Sequence, residues 1–160
     1  MHVCMYESLI LSRFDYALPV WGPPLQQCQV SCLQHLQNRA VRVTKSLRKY
    51  NHVSVHRNNL NWLPISHQIK LRSISAMFRY YCQGGRCLLL DPPIQYGRQH
   101  LYRTRCREYF ASVALCRLAS TKRNFRFAAT TWWNSLPSLT HNCNMNLCEF
   151  YEGSEELLYG

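Results

Sequence analysis

Side chains that could carry out catalysis are sparse and scattered in this sequence. Polymerase and nuclease sites need several carboxylates that converge on divalent metal ions, whereas Asp15, Asp91 and Glu108 lie far apart and no adjacent Asp-Asp pair exists. The G-x-S-x-G elbow of many serine hydrolases and the phosphate-binding P-loop spacing are also absent from the sequence. A Ser-His-acid triad without that elbow stays open. The pattern as a whole predicts a chain with no catalytic site of its own and no cofactor.

Nine cysteines and seven histidines raise the question of a structural zinc site. Cys28 and Cys32 have the spacing of a ligand pair, but they fall on the apolar stripe of a predicted helix. His141, Cys143 and Cys148 form the most ligand-like cluster, and they lack a fourth partner nearby. The spacing therefore predicts no metal site. The odd number of cysteines indicates reduced side chains that behave as small hydrophobic residues.

Basic residues dominate the charge of the chain. Nineteen Lys and Arg face eight Asp and Glu, which gives a formal net charge of +11. No carboxylate lies between Asp15 and Asp91, whereas Glu149, Glu152, Glu155 and Glu156 crowd the last dozen residues. A field of this sign concentrates polyanions, so RNA or DNA is the expected partner. The alternative is a solvated basic surface that only keeps the protein in solution.

Apolar periodicity predicts a mainly α fold. A first helix contains Tyr6, Leu9, Ile10, Phe14 and Leu18 and is stopped by Pro19. A long helix follows from Pro24, a short helix covers 52–60, and Ser66 caps another helix that extends to about Cys82. One apolar stripe on the long helix predicts its buried face, namely Leu25, Cys28, Cys32, Leu36, Ala40, Val43 and Leu47.

Basic residues lie off that stripe and form a ridge near the end of the long helix. They are candidate nucleic-acid contacts, although the helix macrodipole favours cations at the same place. The ridge consists of Arg39, Arg42, Lys45 and Lys49.

The second half of the chain has a different pattern. Gly84-Gly85 and Asp91-Pro92-Pro93 predict a linker over 84–97, between a helical region over 1–83 and a basic, aromatic-rich region over 98–160 with a short terminal helix. Interleaved cations and rings suit phosphates and unstacked bases. A tryptophan pair at 132–133 is more typical of a core anchor than of a stacking platform. The candidate contacts in this region are Arg98, Tyr102, Arg103, Arg105, Arg123 and Arg126.

Neither a signal peptide nor a membrane-spanning segment is predicted. The N-terminus lacks a basic region followed by an apolar one, and no apolar run approaches the ~18 residues that a spanning helix needs. We therefore expect an intracellular protein, cytoplasmic or nuclear, with no membrane partner.

Short motifs follow one another in order along nearly the whole chain. They are S-L-I-L-S-R-F-D-Y-A-L-P-V-W-G at 8–22, L-Q-H-L-Q-N-R-A-V-R at 33–42, L-N-W-L-P-I at 60–65, Y-R-T-R at 102–105 and W-N-S-L-P at 133–137, with Phe150 beyond them. In this order they resemble the region that follows the palm in reverse transcriptases of non-LTR (LINE-type, jockey-like) retrotransposons. That family has an L-Q-x-x-Q-x-R-A-x-R helix, an L-x-W-L-P-V-type turn, Y-x-T-R and W-N-S-L-P elements and a terminal helix aromatic.

This resemblance implies a thumb-like helical bundle that grips the primer–template duplex, followed by an irregular basic, aromatic-rich C-terminal segment. It also implies that Arg39 and Arg42 contact nucleic-acid backbone and that Arg103 and Arg105 contact element RNA or target DNA. The family's fingers, palm, metal-binding aspartates, endonuclease and Cys-His knuckle have no match here. We therefore expect a truncated reverse transcriptase that binds RNA or DNA with little sequence preference and does not polymerise. The rest of a reverse transcriptase is a further candidate partner.

Other functions fit the same sequence. The chain could be a non-functional product of a decayed element, and a sharp cooperative thermal transition would count against that. It could be a domesticated adaptor that binds a protein through the 25–47 helix, and a stoichiometric partner that survives nuclease treatment would support that. A zinc-stapled module would retain stoichiometric metal after purification.

Overall fold

A computed structural model describes residues 2–82, 84, 111, 113, 117–136 and 150 of the chain. Helices account for 71% of these residues, and no strand occurs among them. This confirms the prediction of a mainly α fold.

The N-terminal helical segment ends differently from its prediction. It consists of α1 (His2–Met5), a π-helix (Tyr6–Leu11) and α2 (Ser12–Asp15). Ala17 then takes a left-handed backbone conformation with φ of 49°, and α3 (Leu18–Trp21) begins directly after it. Pro19 does not stop a helix, because it lies in the first turn of α3, where its missing N–H needs no partner.

The next helices are α4 (Gln27–Thr44), α5 (Ser54–Asn58) and α6 (Ile65–Cys82), which confirms the predicted order of a long, a short and a long helix. Pro24 precedes α4 instead of opening it, and Oε1 of Gln29 accepts the backbone N–H of Gln26 at 2.8 Å. The prediction that Ser66 caps α6 was wrong. The backbone N–H of Ile65 instead donates to Oε1 of Gln34 on α4 at 2.9 Å, so a side chain from another helix replaces a local cap.

The predicted buried face of α4 was only partly right, since Ala40 and Leu47 of the predicted stripe are half-buried and pack against the core. The helix buries Gln37, which is 2% exposed, and Val41, which is fully buried. Periodicity could not reveal this face, because a glutamine is buried at low cost only when its amide is hydrogen-bonded. Much of the predicted apolar stripe faces solvent, namely Cys28, Cys32, Leu36 and Val43.

The largest group of buried side chains joins α6 to α8 (Phe125–Ser135). Phe150 stacks on Phe78 with ring centroids 4.3 Å apart and on Trp133 at 6.3 Å. Trp133 is 1% exposed and Trp132 packs at the edge of the same group. The prediction that this tryptophan pair anchors a core is confirmed.

Smaller buried groups join the N-terminal segment to the rest. Tyr6 and Trp62 lie with ring centroids 4.2 Å apart and pack with Val41 and Val53. Leu18 of α3 packs on Ile65 and Ile69 of α6. There is no room for a side chain at Gly22, because an added Cβ would lie 2.6 Å from the carbonyl oxygen of Leu18 in α3 and 3.0 Å from Cγ2 of Ile69 in α6.

Helices from both sides of the predicted linker pack together. After α7 (Ala119–Lys122), α8 packs along α6. Asn134 of α8 accepts the backbone N–H of Ala111 at 3.0 Å and donates to the carbonyl of Ala111 at 2.9 Å. Residues 85–97 lie outside the described part of the chain, so the division into 1–83, 84–97 and 98–160 stays a prediction. No helix among the described residues is long and apolar enough to cross a membrane.

Candidate nucleic-acid interface

The basic ridge predicted on the long helix lies around the C-terminal end of α4. Arg39 and Arg42 belong to its last two turns, Lys45 is its C-cap, and Lys49 follows a few residues later. Arg39, Lys45 and Lys49 are exposed, whereas Arg42 is half-buried. Cations at a helix C-terminus are stabilised by the partial negative charge of the last carbonyl groups. The arrangement therefore stabilises the helix and also presents positive charge to solvent.

A closed backbone turn orders the chain just after α4. Ser46 has a left-handed φ of 51°, and the N–H of Leu47 donates to the carbonyl of Arg42 at 2.9 Å. The N–H of Ser46 lies 3.3 Å from the carbonyl of Val43, which completes a Schellman motif. Leu47 then packs beside Val41. These two hydrogen bonds and the packing of Leu47 fix the backbone around Lys45.

The positive charge around this turn has no local carboxylate to balance it. Residues 2–82 contain ten Lys and Arg but only two carboxylates, Glu7 and Asp15. Asp15 accepts hydrogen bonds from Arg72 Nη2 at 2.5 Å and from Gln68 Nε2 at 2.6 Å. Glu7 Oε1 accepts the indole N–H of Trp62 at 3.2 Å. Within the described residues, the four cations of the ridge make no ion pair, so they present uncompensated charge to a polyanion.

Arg42 of the ridge and Arg57 on α5 are partly desolvated. The Nε atoms of Arg42 and Arg57 are buried and have no hydrogen-bond partner in the described structure. A guanidinium in a medium of lower dielectric attracts an anion more strongly than a fully hydrated one. Arg57 lies on α5 and belongs to no apolar or basic periodicity, so it was not predicted as a contact.

The other candidate contacts fall into two sets. Arg123 is the C-cap of α7, and Arg126 lies in the first turn of α8. Burial raises the pKa of Tyr81 on α6 far above its ordinary value, Tyr80 adds to the rise, and the positive charge of Arg126 opposes it. The remaining candidates lie outside the described residues, namely Arg98, Tyr102, Arg103 and Arg105.

A polar network that was not predicted from the sequence fixes α4 against the start of α6. Gln37 Nε2 donates to the carbonyl of Leu63 at 2.8 Å, and Gln37 Oε1 accepts from Gln34 Nε2 at 2.7 Å. Gln34 Oε1 in turn accepts the N–H of Ile65. The available signal was a pair of glutamines one helical turn apart, which puts two amides on the same face. This network lies on the side of α4 that faces the core.

The turn that precedes α6 has the same backbone conformation and hydrogen-bond pattern as the turn after α4. Asn61 has a left-handed φ of 54°, and the N–H of Trp62 donates to the carbonyl of Arg57 at 3.1 Å. Asparagine tolerates this conformation better than most residues. The turn directs Trp62 into its contact with Tyr6 and places Leu63 opposite Gln37.

The cysteines of α4 do not behave as the sequence predicted. Cys28 and Cys32 are exposed, as is Cys4, so the interpretation of this pair as buried hydrophobic residues was wrong. Among the residues that the structure describes, no three His, Cys, Asp or Glu side chains are placed to hold a metal ion. The His141, Cys143 and Cys148 cluster lies outside them.

Comparisons with protein-family models, with curated proteins and with solved structures found no match. Function is therefore inferred from the charge, the contacts and the motifs of the chain itself.

Proposed function

We propose that this chain binds RNA or DNA through the basic ridge formed by Arg39, Arg42, Lys45 and Lys49. The observation that carries this proposal is the uncompensated charge of the ridge, since both carboxylates within 2–82 are engaged by Arg72, Gln68 and Trp62. Each cation that meets a phosphate releases a counterion, so binding is electrostatic and depends on salt. Phosphate contacts fix position without reading bases, so sequence preference is low.

We further propose that the chain corresponds to the thumb and downstream region of a non-LTR retrotransposon reverse transcriptase, without its polymerase active site. The contacts between the motifs support this origin. The L-Q-x-x-Q helix bonds directly to the L-x-W-L-P turn, through Gln34 to Ile65 and through Gln37 to Leu63. In the W-N-S-L-P element, Trp133 packs against α6. The motifs thus supply the internal contacts of a helical unit that leaves Arg39, Lys45 and Lys49 of the ridge exposed.

The nucleotide sequence upstream of Met1 tests this origin. An in-frame Y-x-D-D-type codon run would mark the chain as the C-terminal part of a polymerase. A stop codon close upstream would contradict it and favour an independent product. This test is separate from the binding test, because a chain of either origin can carry the ridge.

Nucleic-acid binding is tested by fluorescence anisotropy of the full chain with a labelled single-stranded RNA and a labelled DNA duplex over a range of salt concentrations. The double substitution Lys45→Gln with Lys49→Gln removes two exposed cations of the ridge. The log–log salt slope is expected to become shallower by about 1.4 for the single strand and about 1.8 for the duplex, from roughly 0.7 and 0.9 per phosphate contact.

A matched control carries Arg13→Gln with Arg79→Gln, which removes the same charge from two exposed positions on other helices. Its salt slope should stay close to that of the unchanged chain. An equal change of the salt slope in both double variants would show that only net charge matters, and it would refute the ridge as the binding surface. An affinity that does not change with salt, or no binding at low salt, would refute the binding function.

A further inference from the structure

An apolar groove of about 450 Å³ lies between the N-terminal helical segment and α4. Met5, Leu9 and Ile10 line one wall, and Leu36 and Val43 line the other. All five side chains are exposed, and Leu9 and Val43 each keep 61% of their surface in contact with solvent. Single exposed apolar residues are ordinary, but a contiguous set that lines a groove is typical of an interaction site.

Helix α4 has apolar residues on two sides, and the described core covers only one of them. Val41 is fully buried on the inner side, whereas Leu36 and Val43 belong to the outer side that forms the groove wall. The opposite wall includes the π-helix at Tyr6–Leu11. π-Helical turns are rare, and they occur often at functional sites. Both walls are thus backbone-ordered helices, which suits a groove that receives another helix.

The charge of the groove identifies the kind of partner. Arg39 is the charged residue in its lining, it is exposed, and it forms no ion pair with the described carboxylates. A second copy of the chain carries the same formal net charge of +11, which opposes its approach. Nucleic acid fits this groove poorly, because the lining has one cation among mainly aliphatic side chains, which neither neutralise phosphates nor stack on bases.

We propose that this groove binds an amphipathic helix of an acidic partner protein. The partner's apolar residues at i, i+3 or i+4, and i+7 fill the space between Leu9 and Val43, and one of its carboxylates pairs with Arg39. The groove shares Arg39 with the basic ridge, whereas Lys45 and Lys49 lie outside the groove lining. Binding of a helix in the groove is expected whether or not the chain binds nucleic acid.

A designed peptide tests the groove with the full chain. It is a labelled helix of about five turns, roughly 18 residues, with leucines along one stripe and glutamates beside it, and its binding is measured by fluorescence anisotropy. Leu9→Ser and Val43→Ser should each weaken binding by about five- to tenfold, as expected for apolar groups that become buried on binding. Val55→Ser is the matched control, because Val55 is also 61% exposed but lies on α5 outside the groove.

The charge is tested separately from the apolar contact. Arg39→Gln should weaken binding of the glutamate peptide by about three- to fivefold, Arg39→Lys should restore part of it, and a peptide with glutamines in place of glutamates should not respond to Arg39→Gln. Arg79→Gln on α6 should leave the affinity of both peptides unchanged.

Several results would overturn the proposal. They are absence of binding by the stripe peptide, equal binding of a scrambled peptide of the same composition, and a loss with Val55→Ser as large as with Leu9→Ser. Sedimentation that shows a dimer broken by Leu9→Ser would assign the groove to a second copy instead. A loss of RNA affinity with Leu9→Ser and Val43→Ser, at unchanged thermal stability, would assign it to nucleic acid.

Discussion

Replacement of Gln37 by leucine tests whether hydrogen bonding explains the buried face of α4. The substitution keeps a similar side-chain volume at a position that is 2% exposed. It removes the donor to the Leu63 carbonyl and the acceptor for Gln34 Nε2, which keeps a weaker contact with Asn38 Oδ1 at 3.1 Å. A buried polar group without a partner costs about 1–3 kcal/mol, and burial of the extra apolar surface offsets part of that cost. We expect Gln37→Leu to lower the free energy of unfolding by about 1–2 kcal/mol.

Urea denaturation followed by far-UV circular dichroism measures this change, and thermal melting gives a second reading. For a chain of this length, 1 kcal/mol corresponds to a shift in Tm of about 2–4 °C. Gln27→Leu is the matched control, since Gln27 is an exposed glutamine on the same helix, and it should change stability by no more than about 0.5 kcal/mol. Gln34→Leu added to Gln37→Leu should cost less than the sum of the single changes, because the two amides bond to each other.

Equal stabilities for Gln37→Leu and Gln27→Leu would refute this explanation, because the network would then contribute nothing measurable. A more stable Gln37→Leu would show that the glutamine is tolerated at this face and not required there. Additive effects of the Gln34 and Gln37 changes would contradict a shared network.

Further predictions concern single positions. Ser46→Gly should raise the free energy of unfolding by about 0.5–1 kcal/mol, because glycine adopts the φ of 51° without the steric cost of a Cβ, and an unchanged urea midpoint would contradict this. Tyr6→Phe should raise stability by about 1 kcal/mol at neutral pH, since the buried Tyr6 hydroxyl has no hydrogen-bond partner. Burial, and then the charge of Asp15, raise the pKa of Tyr6 above 10.0 in the folded chain. The unfolded chain therefore loses the Tyr6 proton at lower pH, so the free energy of unfolding should fall as pH rises from about 10 towards the folded-state pKa. Urea titrations at several pH values should show a shallower fall for Tyr6→Phe. Asn134→Ala should cost about 2–4 kcal/mol and speed hydrogen exchange at the Ala111 amide, because both backbone groups of Ala111 lose a buried partner; slow exchange in the variant would disprove this role.

Local signals in the sequence were sufficient to place the first helical segment, α4, α5, α6 and one core anchor. They did not place α3, and α7 and α8 lie in a region that was predicted to be irregular. The apolar periodicity and the proline positions predicted the order of α4, α5 and α6, because the spacing of apolar residues along a helix is set by backbone geometry alone. Trp133 was predicted to be buried because a large aromatic side chain gains most from leaving water. Boundaries were less predictable, since Pro19 is compatible with a first turn and Ala17 ends a helix without a glycine or proline.

By itself, the sequence determined the helical class, the excess of positive charge and the position of the basic ridge, since each of these depends on residue types and local spacing. Only the tertiary structure decided which face of α4 is buried. The helix carries two sets of apolar residues, and the choice between them depends on hydrogen-bond partners 26 and 31 residues away, at Leu63 and Ile65. The same holds for Asp15, whose charge is balanced by Arg72 at a separation of 57 residues. Partners so far apart in sequence leave no periodic signal, because the fold alone brings them together.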